Sequence, residues 1–181
     1  VSIIGLSVLL LILPIILLFN LIWNKGPLLF HQERIGRKEA PFKIFKLRTM
    51  IVNAEKNGAV FATVNDCRIT PFGKLLRKTR IDEFPQFINV LKGEMSIIGP
   101  RPERKVFVDQ IANEIPLYHT RHIVKPGLTG WAQINYPYGE TLEDSLMKLE
   151  YDLYYIKHRS IFLDINIAVK TFGTILYMKG Q

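Results

Sequence analysis

The chain has 181 residues, 48% of them apolar, with 24 Lys and Arg against 16 Asp and Glu and a formal net charge of +8. That length and apolar content support one packed domain and exclude a disordered, collagen-like or polytopic membrane chain. A single cysteine, Cys67, excludes an internal disulfide framework and points to a reducing compartment, and no clustered Cys/His spacing supplies a structural zinc site.

The first element is an apolar run. Residues 1–24 carry no charge, and their only polar members are Ser2, Ser7, Asn20 and Asn24. The run has neither a positive n-region nor a small-x-small cleavage site, so it does not read as a signal peptide. As a helix rising about 1.5 Å per residue it is long enough to cross a bilayer. Pro14 sits in its middle, where it removes a backbone hydrogen bond and crowds the carbonyl four residues earlier. A break there leaves each half too short to span and returns the segment to the face it entered, its freed carbonyl taken by a group such as the Ser7 hydroxyl. Length and composition leave a kinked spanning helix and a re-entrant one both open.

Gly26-Pro27 ends the run and divides the chain into a membrane helix over 1–24 and a domain over 25–181. Between residues 25 and 80, thirteen Lys and Arg stand against four Asp and Glu, whereas from residue 81 onward the two signs nearly cancel. A basic block directly after a membrane segment belongs on the cytoplasmic side, facing anionic lipid. Nucleic acid is the other common partner of a basic face, but the chain holds no recognised nucleic-acid module.

The segment 41–50 alternates apolar and basic residues, as a half-buried strand does. Thr70-Pro71 caps a short helix through Lys78, and residues 84–91 read as another helix, closed by Lys92-Gly93. Gly99-Pro100-Arg101-Pro102 can be neither helix nor central strand and is a rigid loop. Leu142, Leu146, Leu149, Leu153 and Ile156 recur at helical spacing, predicting an amphipathic helix over 141–157 with Asp144 and Lys148 paired one turn apart. Its tyrosines, Tyr151, Tyr154 and Tyr155, read as packing. Residues 161–178 are apolar with Asp164, Asn166 and Lys170 interspersed, which suits a helix in the membrane interface or on the core. The sum is an α+β fold, mainly helical with a few short strands.

The nucleotide-binding, zinc-protease and serine-hydrolase motifs G-x-x-x-x-G-K-[ST], G-x-G-x-x-G, H-E-x-x-H and G-x-S-x-G are all absent. His119 and His122 have i,i+3 spacing without an acidic or Cys ligand nearby, so they read as satisfied surface histidines. What remains is Arg77-Lys-Thr-Arg-Ile-Asp-Glu-Phe-Pro-Gln86, two adjacent carboxylates, Asp82 and Glu83, preceded by three cations. With Pro85 in a first helical turn, both acids sit at a helix N-terminus, where free amides and the dipole favour an ionised carboxylate and bound phosphate. An ionised Asp there can attack phosphorus while its neighbour holds a divalent metal, although the pair also fits an ordinary cap with surface ion pairs.

The pair is accompanied, in order, by Gln32-Glu-Arg-Ile-Gly36, Phe45-Lys-Leu-Arg-Thr-Met50, Ile69-Thr-Pro-Phe-Gly-Lys-Leu-Leu-Arg77, Ile81-Asp-Glu-Phe-Pro-Gln86, Asn89-Val-Leu-Lys-Gly-Glu-Met-Ser96, Gly99-Pro-Arg-Pro102 and Lys125-Pro-Gly-Leu-Thr-Gly-Trp-Ala-Gln133. Together these resemble the bacterial sugar transferases, the monotopic polyprenyl-phosphate phosphoglycosyl transferases that start exopolysaccharide, O-antigen and glycan assembly. The departures are Ile81 and Phe84, where the family usually has leucines, and a missing basic-aromatic start. The stretch 131–139 resembles exopolysaccharide-initiating members, some of which are larger.

The resemblance implies transfer of sugar 1-phosphate from a UDP-sugar to undecaprenyl phosphate, with release of UMP and Mg²⁺ as cofactor, at the cytoplasmic face of the bacterial inner membrane. It also implies a re-entrant helix broken at Pro14. By the same resemblance Asp82 is the nucleophile, forming a phosphosugar-aspartyl intermediate, and Glu83 is the Mg²⁺ ligand. Lys46, Arg48, Arg77, Arg101 and Asp164 become substrate-binding residues. Arg101 fits by itself, since a stiff loop presents a bidentate phosphate fork with little entropy left to lose. Self-association is compatible with this reading. A membrane-anchored, metal-dependent UDP-sugar hydrolase would use the same carboxylates without lipid or adduct, and a non-catalytic basic scaffold would need neither acid.

Overall fold

The computed structural model describes residues 1–56, 58, 66–137, 139 and 141–176. Helix α1, Ser2–Trp23, runs as one element with Pro14 inside it. One stripe of it, Leu9, Ile12, Ile16 and Phe19, packs on Leu47, Phe72 and Leu76 of the domain. Nearer the N-terminus Gly5 does the same: a Cβ there would lie 2.2 Å from the Phe87 ring, so only glycine allows this approach. The opposite face is bare apolar surface, with Leu11 at 79% and Leu21 at 70% exposed. By length and composition α1 is a candidate membrane segment.

Strands β1, Leu29–Ile35, and β2, Pro41–Leu47, pair antiparallel from Leu29 opposite Leu47 to Ile35 opposite Pro41. The turn between them contains a 3₁₀ segment, Arg37–Glu39. Alternation along β2 turns Phe42 and Ile44 toward Met95, while Leu47, on the other face, is buried against α1 and α2. Helix α2, Pro71–Lys78, starts as its sequence predicts, with Thr70 Oγ1 accepting from the Gly73 amide at 3.0 Å. Arg80 then takes a left-handed conformation, φ 58°, and swings the chain into a 3₁₀ segment, Ile81–Gln86, followed by α3, Phe87–Leu91.

The second half of the domain begins with β3, Ser96–Ile98, and α4, Lys105–Glu114. A 3₁₀ segment, Tyr118–Ile123, leads to β4, Gly127–Thr129, which pairs parallel with β3. Helices α5, Trp131–Asn135, α6, Leu142–His158, and α7, Ile161–Leu176, complete the chain. The fold is the expected α+β, mainly helical with short strands. Its core comprises Ile35, Val108, Ile115, Tyr118 and Leu149 on one side and Phe42, Ile44 and Met95 on another.

Two details of α6 differ from the sequence reading. Asp144 closes a capping box with Thr141, whose amide it accepts from at 2.9 Å. The buried face carries Leu149, Asp152 and Tyr155, while Leu142 and Leu146 are exposed. In α7, Ile167 is fully buried whereas Ile161, Phe162, Ile165, Val169 and Phe172 are exposed. The last two positions of the predicted 161–178 helix lie outside the described residues.

Candidate active site

The turn at Arg80 brings Asp82 and Glu83 back under β2, and both acids are buried, 7% and 8% exposed. Lys46 projects from β2 onto Glu83, with Nζ 2.9 Å from Oε1. Arg101 reaches the same oxygen from the Gly99-Pro-Arg-Pro102 loop at 3.4 Å, and Arg80 lies 3.6 Å from Oε2. Glu83 is thus ringed by three cations from three segments. Burial would raise its pKa, but Lys46, Arg101 and Arg80 outweigh burial and hold it well below the usual carboxylate range.

Asp82 moves the other way. Burial, and then the charge of Glu83, push its pKa up against the pull of Lys46, Arg77 and Arg80. This reverses the expectation that a helix N-terminus would favour its ionised form, since a short 3₁₀ turn gives less dipole than burial takes away. Asp82 Oδ1 is buried without a hydrogen-bond partner, and so is Gln86 Nε2 from the same segment. A carboxylate oxygen left bare beside three cationic side chains is uncommon in a purely structural ion cluster.

The other expected residues fall in different places. Arg77 donates from Nε to Thr49 Oγ1 at 2.9 Å, and its charge acts on Asp82. Arg48 does not face the acids. Its Nε donates to the Pro27 carbonyl at 2.7 Å, and its other nitrogens donate to Met50 O, Asn24 Oδ1 and the Asn24 carbonyl. Those bonds lock the C-terminal end of α1 to the domain and leave Arg48 8% exposed, so its geometry is that of an anchor. Asp164, in the first turn of α7, accepts from the Tyr155 hydroxyl at 2.9 Å, and the same hydroxyl lies 3.5 Å from the Ile98 carbonyl. Its link toward the Arg101 loop therefore runs through Tyr155 and β3.

Three supports were not assigned from the sequence. Asn89, fully buried, accepts from the Phe45 amide at 3.1 Å and donates to Lys43 O and Glu94 Oε2, both at 2.7 Å. It fixes β2 just before Lys46, on both sides of Ile44. Arg121 donates to the Arg101 carbonyl at 2.9 Å and to Asp152 Oδ2 at 2.7 Å, and its Nη1 meets the Tyr118 hydroxyl at 2.8 Å. Burial opposes its charge, but Tyr118 and Asp152 prevail and keep it ionised. Gly99, Gly127 and Gly130 let this loop lie backbone on backbone against the β4 region: a Cβ on Gly127 would come within 2.1 Å of Gly99 N. A charged residue on the apolar face of α6, Asp152, was the one sequence signal for this network.

The histidines also depart from expectation. His122 is buried, not on the surface, and Glu39 supplies the acidic neighbour that sequence distance conceals, its Oε1 lying 2.9 Å from His119 Nδ1. Burial first, then Arg121 and His119, push His122 down to about 4.

The donor set at Asp82 and Glu83 suits a hard divalent cation, which takes carboxylate oxygens, and Asp82 Oδ1 has none of its bonding capacity used. Both oxygens of Glu83 already face cations, so a metal held there would displace one of them, most easily the more distant Arg80.

Comparison with known proteins adds to this geometry. Residues 1–178 match a family model described as bacterial sugar transferase. Over 153 residues the chain is 52% identical to the UDP-N-acetylgalactosamine-undecaprenyl-phosphate N-acetylgalactosaminephosphotransferase of Aeromonas hydrophila, covering 84% of this chain and 36% of that protein. It is 47% identical over 150 residues to the UDP-glucose:undecaprenyl-phosphate glucose-1-phosphate transferase of Klebsiella pneumoniae, covering 82% and 32%. Against the protein of that name from Escherichia coli (strain K12), identity is 45% over 169 residues, covering 91% and 36%. The chain spans about a third of the length of these relatives.

Proposed function

Because the chain belongs to the bacterial sugar transferase family, we propose that it transfers sugar 1-phosphate from a UDP-sugar to undecaprenyl phosphate and releases UMP. The observation that carries the reading is the buried acid pair, in which Glu83 is neutralised by Lys46, Arg80 and Arg101 while Asp82 Oδ1 remains unpartnered.

Asp82 attacks the phosphorus that bears the sugar. A carboxylate oxygen–phosphorus bond forms, the bond to the bridging oxygen breaks, and that oxygen leaves with UMP. A phosphate oxygen of undecaprenyl phosphate then attacks the same phosphorus, restoring the Asp82 carboxylate and leaving the lipid as a sugar-bearing diphosphate. Dividing the displacement lets the soluble nucleotide leave before the lipid reacts. Lys46, Arg77, Arg80 and Arg101 supply fixed positive charge where anionic oxygens gather. Mg²⁺, held by Glu83 with Asp82 beside it, would supply further neutralisation of the diphosphate.

The place where α1 rests supports a re-entrant membrane reading. Gly5 near one end meets Phe87 and Asn24 past the other meets Arg48, so both ends lie on the same domain, which supports a re-entrant segment. Ile81, adjacent to Asp82, packs on the cluster that Ile16 of α1 forms with Leu47, Phe72 and Leu76, which supports a nucleophile close to the lipid boundary. The exposed apolar stripe of α7 suits the same interface, on the cytoplasmic face of the inner membrane.

The test is UMP release by the purified protein in detergent, with UDP-N-acetylgalactosamine, UDP-glucose and other UDP-sugars, with and without undecaprenyl phosphate. Lipid-dependent release together with a phosphosugar mass adduct supports the proposal. Release without lipid and without adduct identifies a hydrolase instead.

A further inference from the structure

Away from the acid pair, the β1–β2 turn and the 3₁₀ segment Tyr118–Ile123 meet. One ligand atom each from Glu39, His119 and His122 lies within 4.8 Å of the others. Glu39 Oε1 is 2.9 Å from His119 Nδ1, and the two imidazole rings stand 6.1 Å apart in an edge-on arrangement. His122 is 7% exposed, and its Nδ1 is buried with no hydrogen-bond partner. A neutral imidazole nitrogen held dry in this way lacks either a donor or a metal. The turn is also held in place: Arg37 Nε donates to the Ile123 carbonyl at 3.1 Å, and Lys38 and Glu39 both adopt left-handed φ, 56° and 61°. Two successive non-glycine residues in that region cost free energy that the contact across the turn must offset.

We propose that Glu39, His119 and His122 form a binding site for a divalent transition metal of the zinc class, distinct from the acidic pair. Two imidazole nitrogens and one carboxylate oxygen are a donor set for Zn²⁺, with water completing the coordination. Magnesium prefers six oxygens, so donor chemistry keeps the two ions apart. The metal clips the β1–β2 turn to the segment carrying Arg121, whose guanidinium holds the Arg101 carbonyl, so its effect is on the stability of that backing.

The experiment uses the whole chain in detergent, stripped of metal and carrying Glu83→Gln so that ions at the acid pair are not counted. Titration with Co²⁺ should give visible d–d bands of tetrahedral intensity saturating at one ion per chain, competed away by Zn²⁺. His119→Ala and Glu39→Gln should each weaken binding by more than roughly 10-fold, and Zn²⁺ should raise the melting temperature of the parent but not of these variants. Bands that never exceed those of aqueous Co²⁺ would show that a bound water satisfies His122 and overturn the site. So would binding that persists unchanged in both variants, or binding that disappears with Glu83→Gln. Readouts are spectroscopic and thermal, so failure here leaves the proposed transfer reaction standing.

Discussion

Asp82 and Glu83 are adjacent in sequence and opposite in electrostatics. Glu83 is paired directly with Lys46, Arg80 and Arg101, whereas for Asp82 burial and the charge of Glu83 outweigh the pull of Lys46, Arg77 and Arg80. A carboxylate whose pKa is raised on folding stabilises the fold as pH falls through that pKa and costs stability once ionised. Asp82→Asn removes the cost along with the nucleophile. Since each tenfold change in proton affinity corresponds to about 1.4 kcal/mol, the variant should gain on the order of 1–3 kcal/mol by chemical denaturation while losing adduct formation. A melting temperature below the parent's would show that Asp82 is paired after all. For the same reason, adduct formation in single turnover should have its acid limb above the ordinary carboxylate pKa of about 4, displaced toward neutral pH. A limb at the ordinary value would mean that the attacking group is not the buried Asp82. Arg101→Lys keeps the charge but loses the planar fork, so donor use should weaken by roughly 10- to 100-fold with the fold intact. Donor kinetics equal to the parent's would withdraw Arg101 from the site.

The site depends on elements being held at fixed offsets. Asn89 sets β2, and hence Lys46, against α3. Arg121 and Asp152 join the segment Tyr118–Ile123 to α6 and support the Arg101 loop from behind. Because both ions are buried, Asp152→Asn leaves the Arg121 charge without its partner and should cost about 3–5 kcal/mol. An apolar pair of similar volume at both positions should cost less in stability yet still loosen Arg101. Equilibrium unfolding of the two variants beside donor KM separates these effects, and a double variant with unchanged KM would show that the backing bond is dispensable. Thr70 shows how local this scale can be: its cap was legible because a single side chain and a following proline suffice. The buried face of α6 was less legible, since Asp152 is buried there with Arg121 as its partner while Leu142 and Leu146 are exposed.

At the scale of the molecule, α1 rests along the domain from Gly5 to Asn24 and exposes its outer face. Pro14→Leu restores the missing backbone donor and should favour a straight, spanning helix. Cysteine labelling at both helix ends would then report opposite sides of the membrane in the variant and one side in the parent. A parent already labelled on both sides would exclude the re-entrant topology. Phe162→Asp, on the exposed stripe of α7, should reduce retention on anionic vesicles without changing thermal stability, and equal retention would place α7 away from lipid.

Residue type and local order alone determined the apolar run, the α2 cap, the strand alternation of β2, the rigid Gly99-Pro-Arg-Pro102 loop and the adjacency of Asp82 and Glu83, because each rests on neighbours within a few positions. Tertiary structure decided what depends on distance through space. It gave Glu83 its three cations and left Asp82 Oδ1 bare. It tied Arg48 to the end of α1, since four backbone and side-chain oxygens of Asn24, Pro27 and Met50 surround its guanidinium. And it brought Glu39 to His119 across 80 residues of chain, a meeting set by how the β1–β2 turn packs on the Tyr118–Ile123 segment, which no local pattern encodes.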